Sequence, residues 1–329
     1  MKRREFIAFL GGAAAAQPCA AYTQQAANPL VGFVNGATAE ASARNLAGFR
    51  KGLAEAGYIE GQNVTVEYHW LDGQYDRLPA VMTDLVQHRA AVIATPASDV
   101  ATFAAKAATT TIPIVFGVAE DPVRLGLVAS LAKPGGNVTG VNFFFSEVIA
   151  KRLRLLHDLV PNAAHIAVLV NPGNPRTAEA TIEGVEKAAP SLGLQAGMVL
   201  HAATIGEIDT AFAGFAHDRP DALFVAPDGF FFSRAVQFAT LAARERMPAS
   251  YSNRDIVAAG GLMSYGPDLA DVFRQVGLYT GRILKGEKPA ELPVLQSSKF
   301  ELVINLQTAR TLGIDVPSGV LSIADEAIE

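Results

Sequence analysis

The feature that most constrains this 329-residue chain is an alternation that begins at Leu30. Short apolar runs suited to strands take turns with stretches of helical period. Residues 30–34 read as a strand. Residues 40–55 read as a helix, because Leu46, Phe49, Leu53 and Ala56 fall at i, i+3, i+7 and i+10 on one face. Gly57 follows where a helix-ending glycine belongs. Residues 64–68 form the next strand, and Leu78, Val81, Met82, Leu85 and Val86 mark a second helix at i, i+3, i+4, i+7 and i+8. A strand at 91–94, a helix at 99–108 and a strand at 113–116 complete four such steps. A second set follows, with helices at 151–159, 178–189, 207–215 and 234–246 and strands at 166–170, 196–200 and 222–225. This order predicts α/β architecture, with parallel sheets covered by helices on both faces.

Each set contains an apolar strand ending in Val-Asn, Val34-Asn35 and Val170-Asn171, followed by a polar or Gly/Pro loop and a helix. We therefore expect two doubly wound lobes of similar build, although they are not a sequence repeat. The expected first lobe takes residues 28–140 plus 254–285, and the second takes 141–253 plus 286–329. The Pro/Gly-rich stretch 133–137 precedes the first crossing, and 286–293 reads as a late linker.

The chain before Leu30 has a different character. Lys2, Arg3 and Arg4 precede a short apolar run at 6–10, then Gly-Gly and Ala13 to Ala16. A basic start, a short apolar core and small residues before a polar stretch make residues 1–27 a secretory signal, cleaved near Thr23. Arg3-Arg4-Glu5-Phe6-Ile7 resembles a twin-arginine signal, with Sec export as the alternative. Gln17-Pro18 departs from the small-residue pattern expected before a lipidated Cys19.

Composition excludes several function classes. With 50% hydrophobic and 18% charged residues there is ample material for a core, and no internal apolar run is long enough to span a bilayer. The net charge of −5 comes from interleaved acids and bases. There is no basic stripe of the kind a nucleic-acid partner would require. Cys19 is the sole cysteine, and the six histidines (69, 88, 157, 165, 201, 217) include no HxxxH pair, so no metal motif is recognisable. No GxGxxG follows a strand, and neither a P-loop nor a GxSxG elbow occurs. Neither a cofactor nor a catalytic residue is expected.

Ligands of open parallel sheets bind beyond the carboxyl ends of strands, where helix N-termini converge. The candidate residues follow from that rule. Asn35, Thr95, Pro96 and Ser98 belong to first-lobe loops, and Asn171 and Asp228 to second-lobe loops. Ser98 could hold a carboxylate, or simply cap the helix with Asp99 beside it. Asp121 precedes Pro122 as a cap would, and its alternative role is to pair a ligand ammonium. Asp228 carries the same two readings. As a cleft-mouth side chain it would hold up little of the core. Phe143 and Phe230 each begin a triplet of phenylalanines, which cannot all face inward on a strand; one ring of each could stack on a flat ligand. Tyr251 and Tyr265 are further wall candidates.

Several longer stretches fit one family. They are Gly61-Gln62-Asn63-Val64, residues 73–79 (GQYDRLP), 106–116 (KAATTTIPIVF), 134–140 (PGGNVTG), 260–266 (GGLMSYG) and 299–305 (KFELVIN). From about Gly32 to its end the chain resembles the ABC-transporter substrate-binding proteins of the tryptophan/tyrosine-binding type. Phe144, Phe145 and Gly229 stand where relatives differ. The resemblance implies a type I periplasmic-binding-protein fold with three segments linking the lobes. It also implies a periplasmic monomer that holds a small molecule, such as an aromatic amino acid, by hinge closure. The partners implied are an inner-membrane ABC permease and its cytoplasmic ATPase. Other readings are a ligand-binding sensor coupled to a membrane receptor and, behind it, an exported hydrolase.

Overall fold

A computed structural model describes residues 28–143 and 145–329. The segment read as an export signal, with Cys19, lies outside the described residues, as does Phe144. The first part of the chain runs β1 (Leu30–Asn35), α1 (Ala43–Glu55), β2 (Thr65–Trp70), α2 (Leu78–Gln87), β3 (Val92–Thr95), α3 (Asp99–Ala108), β4 (Ile114–Val118) and β5 (Val138–Asn142). The middle part runs α4 (Phe145–Leu159), β6 (His165–Val170), α5 (Pro175–Ala188), β7 (Gln195–His201), α6 (Ile205–Gly214), β8 (Ala222–Val225), α7 (Gly229–Phe232), α8 (Ala235–Arg244), β9 (Ala249–Tyr251), α9 (Arg254–Ala258) and β10 (Met263–Pro267). The chain ends with α10 (Leu269–Leu284), β11 (Leu295–Gln296), β12 (Phe300–Asn305), α11 (Leu306–Leu312), α12 (Ser318–Leu321) and β13 (Glu326–Ile328).

Two sheets result. The first has six strands in the order β11-β5-β4-β3-β1-β2, all parallel. The second has seven in the order β13-β12-β10-β9-β8-β6-β7, parallel except where β10 meets β12. Central strands such as β3, β4 and β8 are buried along their whole length. That is why they read as continuous apolar runs without alternation. Helix α10 closes the first lobe against α1. A Cβ on Gly52 would lie 1.9 Å from the Arg274 carbonyl oxygen, and one on Gly277 would lie 2.1 Å from that of Phe49. These two helices meet backbone to backbone, and only glycine permits that approach.

The chain crosses between lobes three times, after β5, between β10 and α10, and between β11 and β12. Two of these differ from the expected intervals. Strand β10, expected in the first lobe, pairs with β9 and β12 in the second. Strand β11, expected in the second, pairs with β5 in the first. The Gly/Pro-rich stretch at 286–293 therefore marks a turn within the first lobe. Its Leu292 carbonyl accepts a hydrogen bond from Thr139 Oγ1 at 2.6 Å. Composition indicated a break in regular structure there, which is not the same thing as a change of lobe. The crossings are tied together: Ser297 N–H donates to the Asn142 carbonyl and Asp268 N–H to that of Lys299, at 2.8 and 3.0 Å.

Candidate functional site

The strand ends of the two lobes face each other, and each lobe prepares its edge with an asparagine. Asn35, ending β1, accepts from Ala37 N–H at 2.9 Å through Oδ1 and donates through Nδ2 to the Pro96 carbonyl at 2.7 Å. Asn171, which follows β6, accepts from Gly173 N–H at 2.8 Å and donates to Asp228 Oδ1 at 2.8 Å. Each side chain closes its own turn and reaches the next strand-end loop. Beside Pro96, Ala97 holds a left-handed φ of 52°, a conformation that costs a non-glycine residue about 1 kcal/mol or more. Ser98 then caps α3, accepting from Ala101 N–H at 3.4 Å.

Between the lobes lies a cavity with about 550 Å³ of empty space, part of it open to solvent. Tyr75, Ser98, Asp99 and Ala119 line it from the first lobe, and Asn174, Thr177, Asp228, Phe232 and Ser252 from the second. Phe143, Pro267 and Leu269 line it where the chain crosses. The N-terminal turns of α3 and α5 open onto the same space.

The lobes touch across the cleft. Tyr75 O–H donates to Asp228 Oδ2 at 3.0 Å, and Thr38 N–H donates to Ser233 Oγ at 2.9 Å. Arg234 Nη2 donates to both oxygens of Asp72, at 2.8 and 2.9 Å. The Arg176 guanidinium lies 3.7 Å from the centre of the Phe103 ring. A Cβ on Gly229 would come within 2.6 Å of the Gly36 backbone, so the approach needs glycine at this position. This is a closed cleft.

Two carboxylates border the cavity, and their surroundings differ. Asp228 is buried and accepts four hydrogen bonds. Oδ1 takes Asn171 Nδ2 and Phe230 N–H, and Oδ2 takes Asn174 Nδ2 at 3.2 Å and Tyr75. Those four donors use its whole accepting capacity. Burial pushes its pKa up from the usual carboxylate range, and the surrounding donors pull it back. Asp99 is equally buried, but its Oδ1 accepts only a 3.3 Å bond from Ala119 N–H and its Oδ2 has no hydrogen-bond partner among the described residues. Burial, helped by nearby Glu120, raises its pKa to about 7. Asn174 Oδ1 and Ser252 Oγ, also on the cavity wall, likewise lack partners among the described residues. Buried polar atoms normally find a partner, and all three of these belong to side chains of residues that line one cavity.

Of the residues expected at the site, Ser98, Phe143 and Asp228 line this cavity. Asn35, Pro96 and Asn171 shape the loops behind it. Thr95 is fully buried, with its hydroxyl 2.8 Å from that of Thr102. Asp121 caps the following turn through Val123 N–H at 2.8 Å and borders a separate outer groove with Arg124 and Arg176. Phe230 packs on Phe231 behind the wall, and Phe232 of the same triplet reaches the cavity instead. The two tyrosines need correction as well. Tyr251, taken as a wall residue, is buried in the second-lobe core against Phe238. Tyr265 stacks on Phe300 beneath Lys151. Both lie on strands, not on the loops beyond them. Asp228 also holds up more structure than a cleft-mouth position suggested. Asn174 falls in the second-lobe strand-end loop 171–174, whereas Tyr75, Thr177, Ser252 and a ligand contact by Asp99 lie outside the expected set. The one available signal was that they follow the strand ends, which the rule already flagged.

The sequence matches the family model described as ABC transporter substrate binding protein over residues 32–328. The chain belongs to this family. Its relatives include the tyrosine-binding protein of Clostridioides difficile (strain R20291), 27% identical over 270 residues, which are 80% of this chain and 75% of that protein. Among solved structures, a conserved domain protein of Vibrio cholerae is 27% identical with a TM-score of 0.83, over 91% of this chain and 99% of that one. An ABC domain from Streptococcus pneumoniae in complex with L-Trp is 27% identical with a TM-score of 0.81, over 92% and 100%. The two lobes thus have the type I periplasmic-binding-protein fold. As an ABC substrate-binding protein, the molecule captures a small-molecule solute for a permease and its ATPase.

Proposed function

We propose that this substrate-binding protein carries a small amphoteric molecule, an amino acid with a flat side chain, through the periplasm to its permease. The observation that carries this reading is a set of polar atoms without partners among the described residues, all on residues that line the cavity: Asp99 Oδ2, Asn174 Oδ1 and Ser252 Oγ. Two are acceptors and the third is a hydroxyl, so together they suit a guest that donates hydrogen bonds. An ammonium has three such donors and a charge to match Asp99. The helix starts at Ser98 and Asn174 suit the opposite end of the guest, a carboxylate. Phe143, Phe232, Tyr75 and Leu269 supply apolar walls for a ring. The tyrosine-binding and L-Trp-bound relatives support the same ligand class.

In this reading the ligand is held and released unchanged by a monomer, and the protein is not an enzyme. Asp228, with every acceptor site occupied, serves to hold the lobes together and is not half of an acid/base pair. The export-signal pattern at residues 1–27 supports periplasmic location. The test is a thermal-shift screen followed by calorimetry. Aromatic amino acids should stabilise the protein by about 2.7 kcal/mol at a hundredfold excess over Kd. Stabilisation by sugars with none by amino acids would overturn the ligand class.

A further inference from the structure

On the outer edge of the first lobe, far along the chain from any cavity residue of the second, three metal-ligating side chains converge and a fourth, exposed His88, stands at their rim. Strand β2 forms the sheet edge, and its residues alternate between faces. Tyr68 and Trp70 pack with Phe33 on one side. Glu67 and His69, two residues apart, share the other side with α2. There Asp84 and His88 stand one helical turn apart, with His88 capping the end of α2. His69 Nε2 lies 2.8 Å from Glu67 Oε1. His88 Nδ1 lies 3.7 Å from Glu67 Oε2 and 3.5 Å from Asp84 Oδ2. Glu67, His69 and Asp84 offer ligand atoms that all lie within 4.8 Å of one another.

We propose that Glu67, His69, Asp84 and His88 bind a divalent transition ion of the zinc type, which staples edge strand β2 to helix α2. The spacing supports this. Metal–ligand bonds of about 2.0–2.2 Å to nitrogen and oxygen put the corners of a tetrahedron roughly 3.3–3.6 Å apart. The separations of 3.5 and 3.7 Å around His88 are close to that size, and the 2.8 Å between His69 and Glu67 opens by roughly 0.5 Å to admit the ion. His69 Nε2 is shielded from solvent and, despite its closeness to Glu67, makes no hydrogen bond among the described residues. A ring nitrogen and carboxylate oxygens that face one another in this way suit a shared cation. Two carboxylates balance the charge of a dication, and two imidazoles select zinc, nickel or copper over calcium or magnesium, which require more oxygen ligands. The sequence hid this set, because its members come from a strand and a helix and include no HxxxH spacing. The proposal is independent of what occupies the cleft.

The experiment is calorimetric titration of zinc into full-length protein purified without a histidine tag and stripped with chelator. One ion should bind per chain, and magnesium and calcium should give no heat. His69→Gln and His88→Gln should each weaken zinc binding at least about tenfold, since even partners behind a metal ligand are worth that much. Exposed His217 is the control, and His217→Gln should change nothing. A melting temperature in chelator equal to wild type shows that each variant is folded. Should His69→Gln unfold, His88→Gln at the exposed end of the helix gives the same reading. Zinc binding that survives both substitutions, or that falls equally in His217→Gln, identifies an adventitious surface ion and overturns the proposal. Absence of binding at millimolar zinc overturns it as well.

Discussion

The two lobes meet the cleft with the same device and use it differently. In each, an asparagine at the end of a strand folds its own turn and extends an amide to the neighbouring loop. In the first lobe the amide of Asn35 finds a backbone carbonyl, that of Pro96. The nearby carboxylate, Asp99 on the cavity lining, has one oxygen that meets no donor among the described residues. In the second lobe the amide of Asn171 finds a carboxylate, and Asn174, Phe230 N–H and Tyr75 complete the set around Asp228. One acid is thus free to meet a guest, and the other is committed to the protein. A buried carboxylate is stabilised only by what surrounds it, so occupancy of its lone pairs, rather than proximity to the cavity, separates the two roles.

If that contrast is sound, the largest effect on the unliganded protein comes from the committed acid. Asp228→Ala strands Asn171 Nδ2 and Phe230 N–H in a buried site. At about 1–3 kcal/mol for each unsatisfied group, the variant should lose roughly 3 kcal/mol of stability, read by denaturant unfolding. An unfolding free energy equal to wild type would mean that the four bonds are dispensable and the contrast false.

How much of this was legible in the sequence depends on the range of the interaction. Helix α3 at 99–108 and strand β8 at 222–225 were placed to the residue, because periodicity and burial are local signals. The strand-end rule brought Ser98 and Asp228 to the cavity for the same reason, and the run of phenylalanines brought Phe143. The Tyr75–Asp228 bond joins residues 153 apart in sequence and on different lobes, and no spacing announces it. Asp99 looked like an ordinary cap companion, since nothing in a sequence says that one oxygen will be buried without a donor. Tyr251 and Tyr265 misled because a polar handle suggests a wall, whereas their strands turn both rings into packed surroundings. The Gly/Pro run at 286–293 misled in a related way, since it breaks regular structure without leaving the lobe.

The free acid gives the next largest effect, and its sign is opposite for stability and for binding. The pKa of Asp99 rises from an ordinary 3.8 to about 7 on folding. Between those values the folded protein holds more protons than the unfolded chain, so unliganded stability falls as pH rises from about 4 to 7. Asp99→Asn removes that slope and should stabilise the unliganded protein above pH 7. A ligand ammonium needs the ionised carboxylate. Wild-type affinity should therefore rise with pH up to about 7 and then level off, while the variant stays flat across this range. At saturating pH the variant should bind about 10- to 150-fold more weakly, the worth of a charged hydrogen bond. Calorimetry from pH 5 to 9 decides, and equal pH profiles would remove Asp99 from the ligand's contacts.

Tyr75→Phe probes the single bond by which the first lobe reaches the committed acid. The ring stays on the cavity wall and Asp228 keeps its three second-lobe donors, so unliganded stability should hardly change. The closed form loses a bond to a carboxylate, about 1.5 kcal/mol, and ligand affinity should fall about tenfold, mostly through faster release. A variant that instead loses stability at unchanged affinity would show that Tyr75 supports the fold and not closure.

The smallest effect belongs to the outermost contact, the pairing of Asp72 with Arg234. Asp72 follows β2 and Arg234 precedes α8, so the pair spans the two lobes and its free energy goes into closure alone. A ligand gains affinity from closure only by the difference in free energy between the two forms. The side chains of Arg234 and Asp72 keep 18% and 34% of their surface in solvent, and ion pairs this exposed contribute less than about 1 kcal/mol. Asp72→Asn should therefore weaken ligand binding by no more than about fivefold. Screening separates it from the buried contacts. At 1 M salt the Debye length is about 3 Å, and the wild-type advantage over Asp72→Asn should largely vanish. The advantage over Asp99→Asn, which rests on a carboxylate removed from solvent, should persist. Affinities of wild type and both variants at low and high salt test this directly. A salt-independent Asp72 effect, or one larger than that of Asp99, would mean that closure is governed at the rim and not by the acids inside.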